Sequence, residues 1–319
     1  MAEKPLDPGR LRRIPLDRRP SKVSIEDFAT PVRAGMSFQE FLDSLPRLLG
    51  AQTLLEVARS IARARRDGRE VILAMGAHVI KVGLNPVLAS LMEAGVITCL
   101  SMNGAGVIHD VEIALRGRTS EDVGPALDQG MFGVAEDAAE LINQAVADGA
   151  RQGEGFGEAV SKRLAALRPP HADASILCQA AERAIPVTVH VAIGTDIIHM
   201  HPSADGASVG QCSLRDFHVL TSRIARLEHG VFVNLGSAVI LPEVFLKALN
   251  LARNLGHRVE TFTTVNMDFI RHYRPTVNVV QRPVRLGGKG YELIGHHEIN
   301  LPLLAGAVLE ILACRKAES

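Results

Sequence analysis

Residues Gly230 to Leu249 read GVFVNLGSAVILPEVFLKAL, and this stretch decides the fold. Val231 to Leu235 is apolar except for Asn234, too short for a helix and typical of a strand covered on both faces. Gly236 and Ser237 supply a turn with little bulk. Pro242 suits the first turn of a helix, where its missing N–H costs nothing, and Glu243 suits the positive end of the helix dipole. Gly256 predicts the exit of that helix just after Asn254. In an open α/β sheet, turns of small residues at strand carboxyl ends hold ligands, because backbone N–H groups can approach them closely.

Working outward, the same alternation recurs. Strands are predicted at Val71–Met75, Val96–Met102, Pro186–Ala192 and Val259–Thr264, with helices between them near Asn85–Glu93, His109–Leu115, Ala135–Asp148, Gly157–Leu167, Ser175–Arg183 and Ser213–Leu227. Strands separated by helices predict a doubly wound parallel α/β sheet of Rossmann-like type. Ser37 and Glu40 form a capping box before a helix ending at Pro46, a second helix runs from Thr53 to Asp67, and a last one covers Leu301–Cys314. Residues 1–50 are therefore read as an arm with a helical extension, and 51–319 as one α/β domain. The first 36 residues carry five prolines and clustered arginines, as a solvated arm would.

Composition excludes several classes. Lys plus Arg and Asp plus Glu both number 35 and only 4% of residues are aromatic, so neither a basic surface nor a stacking platform favours nucleic acid. No apolar run reaches about 18 residues, so no membrane association is expected. Four widely spaced cysteines and a start without an apolar secretory core predict a cytoplasmic protein. The informative excess is histidine, with twelve.

If the sheet is parallel, one edge gathers Gly76-Ala77-His78, Asn103-Gly104-Ala105 with His109 and Asp110, Asp196 with His199 and His201, Gly236-Ser237, and Thr263-Thr264 with Asn266 and Asp268. Asp196 is a carboxylate directly after a buried strand, a costly placement unless it is used or paired. His199 and His201 would share a face on a strand and, with His109, Asp110 or Asp196, could hold a metal; a bound loop pair is the plainer reading. Lys289, in Gly287-Gly-Lys-Gly290, reads as lying in a mobile loop able to present an amine. GEGFGEA, at 153–159, lacks the spacing of a dinucleotide fingerprint and reads as a loop or helix start.

With these residues in view, the chain from about Val32 onward resembles the deoxyhypusine synthase family. The matching pieces, in order, are GAHVIKVGL, LSMNGAGVIHD, IPVTVHVAIGTDIIHMHP, VNLGSAV, Thr263-Thr264, Arg274-Pro275 and Leu301-Pro-Leu-Leu304. The resemblance implies a transferase of aminobutyltransferase type that uses NAD, oxidises a polyamine and assembles as a homotetramer. It implies cofactor contacts at Ala77, His78, Lys81, Asn103, Gly104, Ala105, Gly236, Ser237, Thr263, Thr264, His296 and His297. Asp196 matches an acidic polyamine-site residue. The family's catalytic lysine is not matched: Gln281-Arg282-Pro283 stands there. The expectation is therefore an NAD-binding enzyme acting on a small molecule, a polyamine or another amine, with His109 or His199 as acid/base, Asp196 as anchor and Lys289 as an imine-forming group. A metal-dependent hydrolase or lyase built on the His/Asp cluster, and a non-catalytic homologue, are the alternatives.

Overall fold

The computed structural model describes residues 3–314. Six strands, β1 (Val71–Met75), β2 (Cys99–Asn103), β3 (Val187–His190), β4 (Val231–Leu235), β5 (Thr263–Asp268) and β6 (Lys289–Ile294), form one sheet in the order β3-β2-β1-β4-β5-β6. Every pairing is parallel. Strand order reverses between β1 and β4, which is the Rossmann-like arrangement, with its ligand crevice expected outside the carboxyl ends at that reversal.

The helices are α1 (Phe38–Ser44), α2 (Leu49–Arg66), α3 (His78–Lys81), α4 (Asn85–Glu93), α5 (Gly104–Arg116), α6 (Val123–Asp128), α7 (Glu136–Gln152), α8 (Phe156–Leu167), α9 (Ile176–Glu182), α10 (Gly206–Ile224), α11 (Ile240–Asn254), α12 (Tyr273–Pro275) and α13 (His297–Cys314). A π-helical turn, Thr276–Gln281, follows α12. Strands β1 and β4 are buried on both faces, so their near-continuous apolar sequences are what a doubly covered sheet requires. On one face Ile72, Phe232 and Cys99 meet Leu220 and Ile224 of α10 and Phe245 and Leu249 of α11, with the Phe232 and Phe245 rings stacked at 3.7 Å. On the other, Leu73, Met75, Val233 and Val265 join a larger core with α2, α4 and α13.

The N-terminal arm is almost wholly exposed, whereas α1 packs on α13: a Cβ at Gly306 would lie 2.7 Å from the Phe38 ring. Ser37 and Glu40 make the expected capping box, and Gly256 (φ +88°) follows the end of α11 as expected. By length and mean hydropathy α13, at 18 residues, would suffice to cross a membrane, but Glu298 and Glu310 interrupt its apolar run. It packs along α2, burying Leu301, Leu304, Ala305 and Val308.

Two readings are corrected. The segment around Lys289 is not a mobile loop but the start of β6, a sixth strand unrecognised in the sequence. Its glycines are there for packing: a Cβ at Gly290 would sit 2.0 Å from the Val280 carbonyl oxygen, and one at Gly288 2.5 Å from that of Phe262. The fifth strand begins at Thr263 rather than ending at Thr264, so Thr263 pairs with Lys289 at the amino edge of the sheet. Lys289, Thr263 and Thr264 thus lie at the far end of their strands from the crevice, about 15 Å away at the usual rise per residue.

Candidate functional site

At the strand reversal, β1 and β4 end in two glycine turns in contact. A Cβ on Gly76 would lie 2.2 Å from the Gly236 carbonyl oxygen, and Gly236, at φ +66°, occupies the left-handed region. A Cβ on Gly236 would in turn lie 2.9 Å from Nε2 of His297. His297 opens α13 and is buried at 1% exposure, yet neither ring nitrogen has a hydrogen-bond partner. Its Nε2 stands 3.9 Å from Asp268 Oδ1 at the end of β5, and its ring 5.8 Å from that of His78. Burial lowers the His297 pKa, the Asp268 carboxylate opposes this, and His78 adds to the lowering. A buried imidazole with two unpaired nitrogens is unusual in a finished interior and marks a place where another molecule can complete the bonding.

Beyond β1, on the β2 and β3 side, lies a pocket of about 210 Å³ lined by Lys81, Ala105, His109, Glu112, Thr195 and Asp196, with the loop of Ser120 and Glu121 along its edge. Asp196 is 7% exposed, and its Oδ2 has no hydrogen-bond partner. The chain admits it only because residue 104 is glycine: a Cβ there would lie 2.1 Å from that same oxygen. Burial raises the Asp196 pKa, with the neighbouring His199 and the Ala105 amide working the other way.

His109 is poised by two residues that periodicity alone did not single out. Its Nδ1 is 2.6 Å from Thr119 Oγ1, and the Thr119 hydroxyl donates to Glu112, one turn from His109 on α5. Half-burial works to raise the Glu112 pKa, but the adjacent His109 ring, 3.6 Å from Oε2, and the Thr119 hydrogen bond prevail and hold it low. An ionised Glu112 only accepts, so the Thr119 proton points to Glu112 and the Thr119 oxygen must receive a proton from Nδ1. In the neutral ring that leaves Nε2 of His109 as a lone-pair acceptor, with no partner among the described residues. Gly117, at φ +67°, ends α5 in the left-handed turn that leads the chain back to place Thr119 against it.

Several predicted site residues take other roles. Asp110 is fully buried away from the pocket, accepting from Asn85 Nδ2, Ser175 Oγ and the Ile176 and Leu177 amides; it caps α9. Burial pushes its pKa to about 6 against those bonds. His199 and His201 lie not on a strand but at the end of a 3₁₀ turn, Ile197–Met200. His199 Nδ1 accepts from the Gly194 and Asp196 amides while its buried Nε2 has no partner, and His201 Nδ1 pairs with Ser203 Oγ. Among the described residues no three His, Cys, Asp or Glu side chains are placed to hold a metal. Asn103 Oδ1 caps α5 through the Gly106 amide, and Ser237 Oγ accepts from the Leu241 amide at the start of α11, so both side chains are occupied by the fold. His296 is exposed beside Glu298. The crevice therefore keeps Gly76, Ala77, His78, Gly236, Asp268 and His297, and the pocket keeps Lys81, Ala105, His109 and Asp196, with Gly104 packed behind Asp196.

By sequence the chain matches no protein family and no curated protein. By structure it is similar to a protein assigned to the LOR/SDH group from Methanococcus maripaludis S2, at a TM-score of 0.53 and 16% identity over 83% of this chain and 71% of the other. It is similar to AgrE, solved in ternary complex with ornithine and NAD+, at a TM-score of 0.52 and 15% identity over 82% of this chain and 33% of AgrE. It is similar to a protein assigned as a deoxyhypusine synthase from Entamoeba histolytica, at 0.52 and 10% identity over 87% of this chain and 95% of that one. At these identities the likeness is one of fold. The chain spans about a third of the AgrE length and nearly the whole of the Entamoeba protein.

Proposed function

We propose that this protein is an NAD-dependent enzyme acting on a small amino compound. One observation carries the reading: glycine turns in van der Waals contact and a buried His297 with two unpaired nitrogens lie at the strand reversal, directly beside a pocket lined by Asp196, one of whose oxygens has no partner, and a poised His109. The residues suit a dinucleotide. Gly76 and Gly236 let backbone approach the pyrophosphate, while Asp268 and His297 offer an acceptor and ring nitrogens for hydroxyl or amide groups. Bound NAD would supply a hydride acceptor.

The chain's own residues supply the rest. Asp196 binds an ammonium group, and burial strengthens that attraction by excluding water. His109 takes a proton at Nε2, and the resulting cation is steadied through Thr119 by the Glu112 carboxylate. The fold likeness to AgrE and to the Entamoeba protein supports NAD and an amino compound as the chemical class. Aminobutyl transfer through a lysine lacks support, because Lys289 sits at the opposite edge of the sheet. The four free cysteines, three of them buried, accord with the cytoplasmic placement, and a homotetramer remains part of this proposal.

Calorimetric titration with NAD and NADP tests the reading. Saturable binding of one of them, weakened at least about tenfold in His297→Ala, is expected. No heat with either nucleotide, from protein that unfolds cooperatively, would overturn it.

A further inference from the structure

The pocket contains more ionisable groups than it has unused ones, and accounting for them narrows the ligand. Glu112 is engaged by Thr119 and His109, and Glu121 Oε2 accepts from the Gly133 amide at 2.9 Å. Three groups remain: the Asp196 carboxylate, Nε2 of His109, and the Lys81 ammonium, which has no ion pair or hydrogen bond among the described residues. They arrive from different strands. Lys81 closes α3 after β1, Asp196 follows β3, and the start of α5, after β2, lies between those strands in the sheet. Beside the hydrogen-bonded Glu112 and Glu121 carboxylates, one further anion, one unpaired cation and one proton acceptor thus line a cavity of about 210 Å³.

We propose that this pocket takes a zwitterionic amino acid, its ammonium on Asp196 and its carboxylate on Lys81, with an acidic proton of the ligand facing His109. The proposal deepens the enzyme reading above and rests on its assignment of the pocket to the substrate. A polyamine would satisfy Asp196, and its further ammonium groups could meet Glu112 and Glu121, but it would leave the Lys81 ammonium with no counter-charge. A simple carboxylic acid would satisfy Lys81 and oppose Asp196. Only a molecule bearing both charges pairs both groups, and each charge-assisted contact is of the strong kind.

The test is binding of the twenty proteinogenic L-amino acids and L-ornithine, by calorimetry, to the full chain with and without saturating NAD. The best ligand is then compared with its decarboxylated amine and its deaminated acid, and with spermidine. At least one amino acid is expected to bind about tenfold or more tighter than both of its truncated analogues. Lys81→Met is expected to abolish the preference over the amine, and Asp196→Asn the preference over the acid. Lys81 is exposed and Asp196→Asn is nearly isosteric, so both variants should fold, as cooperative melting would verify.

Spermidine or the amine binding as tightly as every amino acid would overturn the proposal, as would no amino acid binding at all. NAD binding without any amino acid binding sinks this inference and leaves the cofactor reading standing. Amino-acid binding with the stated preferences but no NAD binding does the reverse.

Discussion

The contact between the first and fourth strand ends gives a prediction with opposite signs at two glycines. In Gly76→Ala the new Cβ would start 2.2 Å from the Gly236 carbonyl oxygen, more than 1 Å inside an ordinary contact. The obstacle is backbone, so no side chain can rotate away. Both turns are also tied into the sheet: the Gly76 amide donates to Leu235 at 2.9 Å and the Gly236 amide to Met267 at 2.9 Å. Opening the contact must stretch or break one of these bonds. Overpacking costs about 1–3 kcal/mol and a strained buried hydrogen bond adds about 1, so a loss of about 2–4 kcal/mol is expected. Gly210 is the control, being inside α10 with nothing within 4 Å of its would-be Cβ. Gly210→Ala should stabilise by up to about 1 kcal/mol through helix propensity. Urea unfolding of the two variants against wild type measures both. A Gly76→Ala protein as stable as wild type, or more stable than Gly210→Ala, would refute the contact and with it the crevice built on it.

Two further outcomes concern buried carboxylates. Asp216 is 1% exposed on α10, and its Oδ2 accepts from the Gly157 amide at 2.9 Å and the Val189 amide at 2.7 Å; burial pushes its pKa from 3.8 to about 7. A folded pKa above the unfolded one means stability from this group is fully present below pH 3.8 and lost as pH rises through about 7, by at most about 4 kcal/mol. Buried His190, lowered to about 4, acts oppositely between pH 4 and 6.5, so the readout is unfolding free energy relative to Asp216→Asn from pH 5 to 7.5. A constant difference across that range would contradict the assignment. Asp110→Ala strands four donors at the α9 cap and should cost about 3 kcal/mol or more, with NAD affinity of the folded protein unchanged. Lost NAD binding in a stable variant would return Asp110 to the site.

The sequence revealed the opening stretch well, because β4 is buried on both faces and Pro242 and Gly256 bracket α11 with strong local signals. It concealed β6 for the opposite reason. Lys289–Ile294 is an edge strand, only partly buried, and its glycines serve the neighbouring Val280 and Phe262 carbonyls, so they mimic a loop. Mistaking where β5 begins moved Thr263 and Thr264 to the wrong edge, since period-two apolarity does not say where a strand ends. Asp196 was legible as a carboxylate after a buried strand. The Glu112–Thr119–His109 chain was not, because Thr119 lies beyond the end of α5 and returns to it after the turn at Gly117, a contact that helical periodicity does not register. Asp110 resembled chemistry because its partners Ser175, Ile176 and Leu177 are 65 or more positions away.

Crevice and pocket are joined by α3, four residues long, and this yields a last expectation. His78 at its start faces the His297 ring, while Lys81 at its end lines the pocket. Between them Val79 and Ile80 are buried at 0% and 3% and are what fix the helix to the core. Val79→Ala removes two methyl groups, a cost of about 2 kcal/mol if the space does not collapse. Its distinctive effect is on binding. His297→Ala should weaken nucleotide alone and Asp196→Asn the amino compound alone, but loosening α3 moves a residue of each site, so Val79→Ala should weaken both. Calorimetry with each ligand separates the cases. If Val79→Ala weakens one ligand and spares the other, α3 is not the shared support, and the two sites are independent features of the same sheet edge.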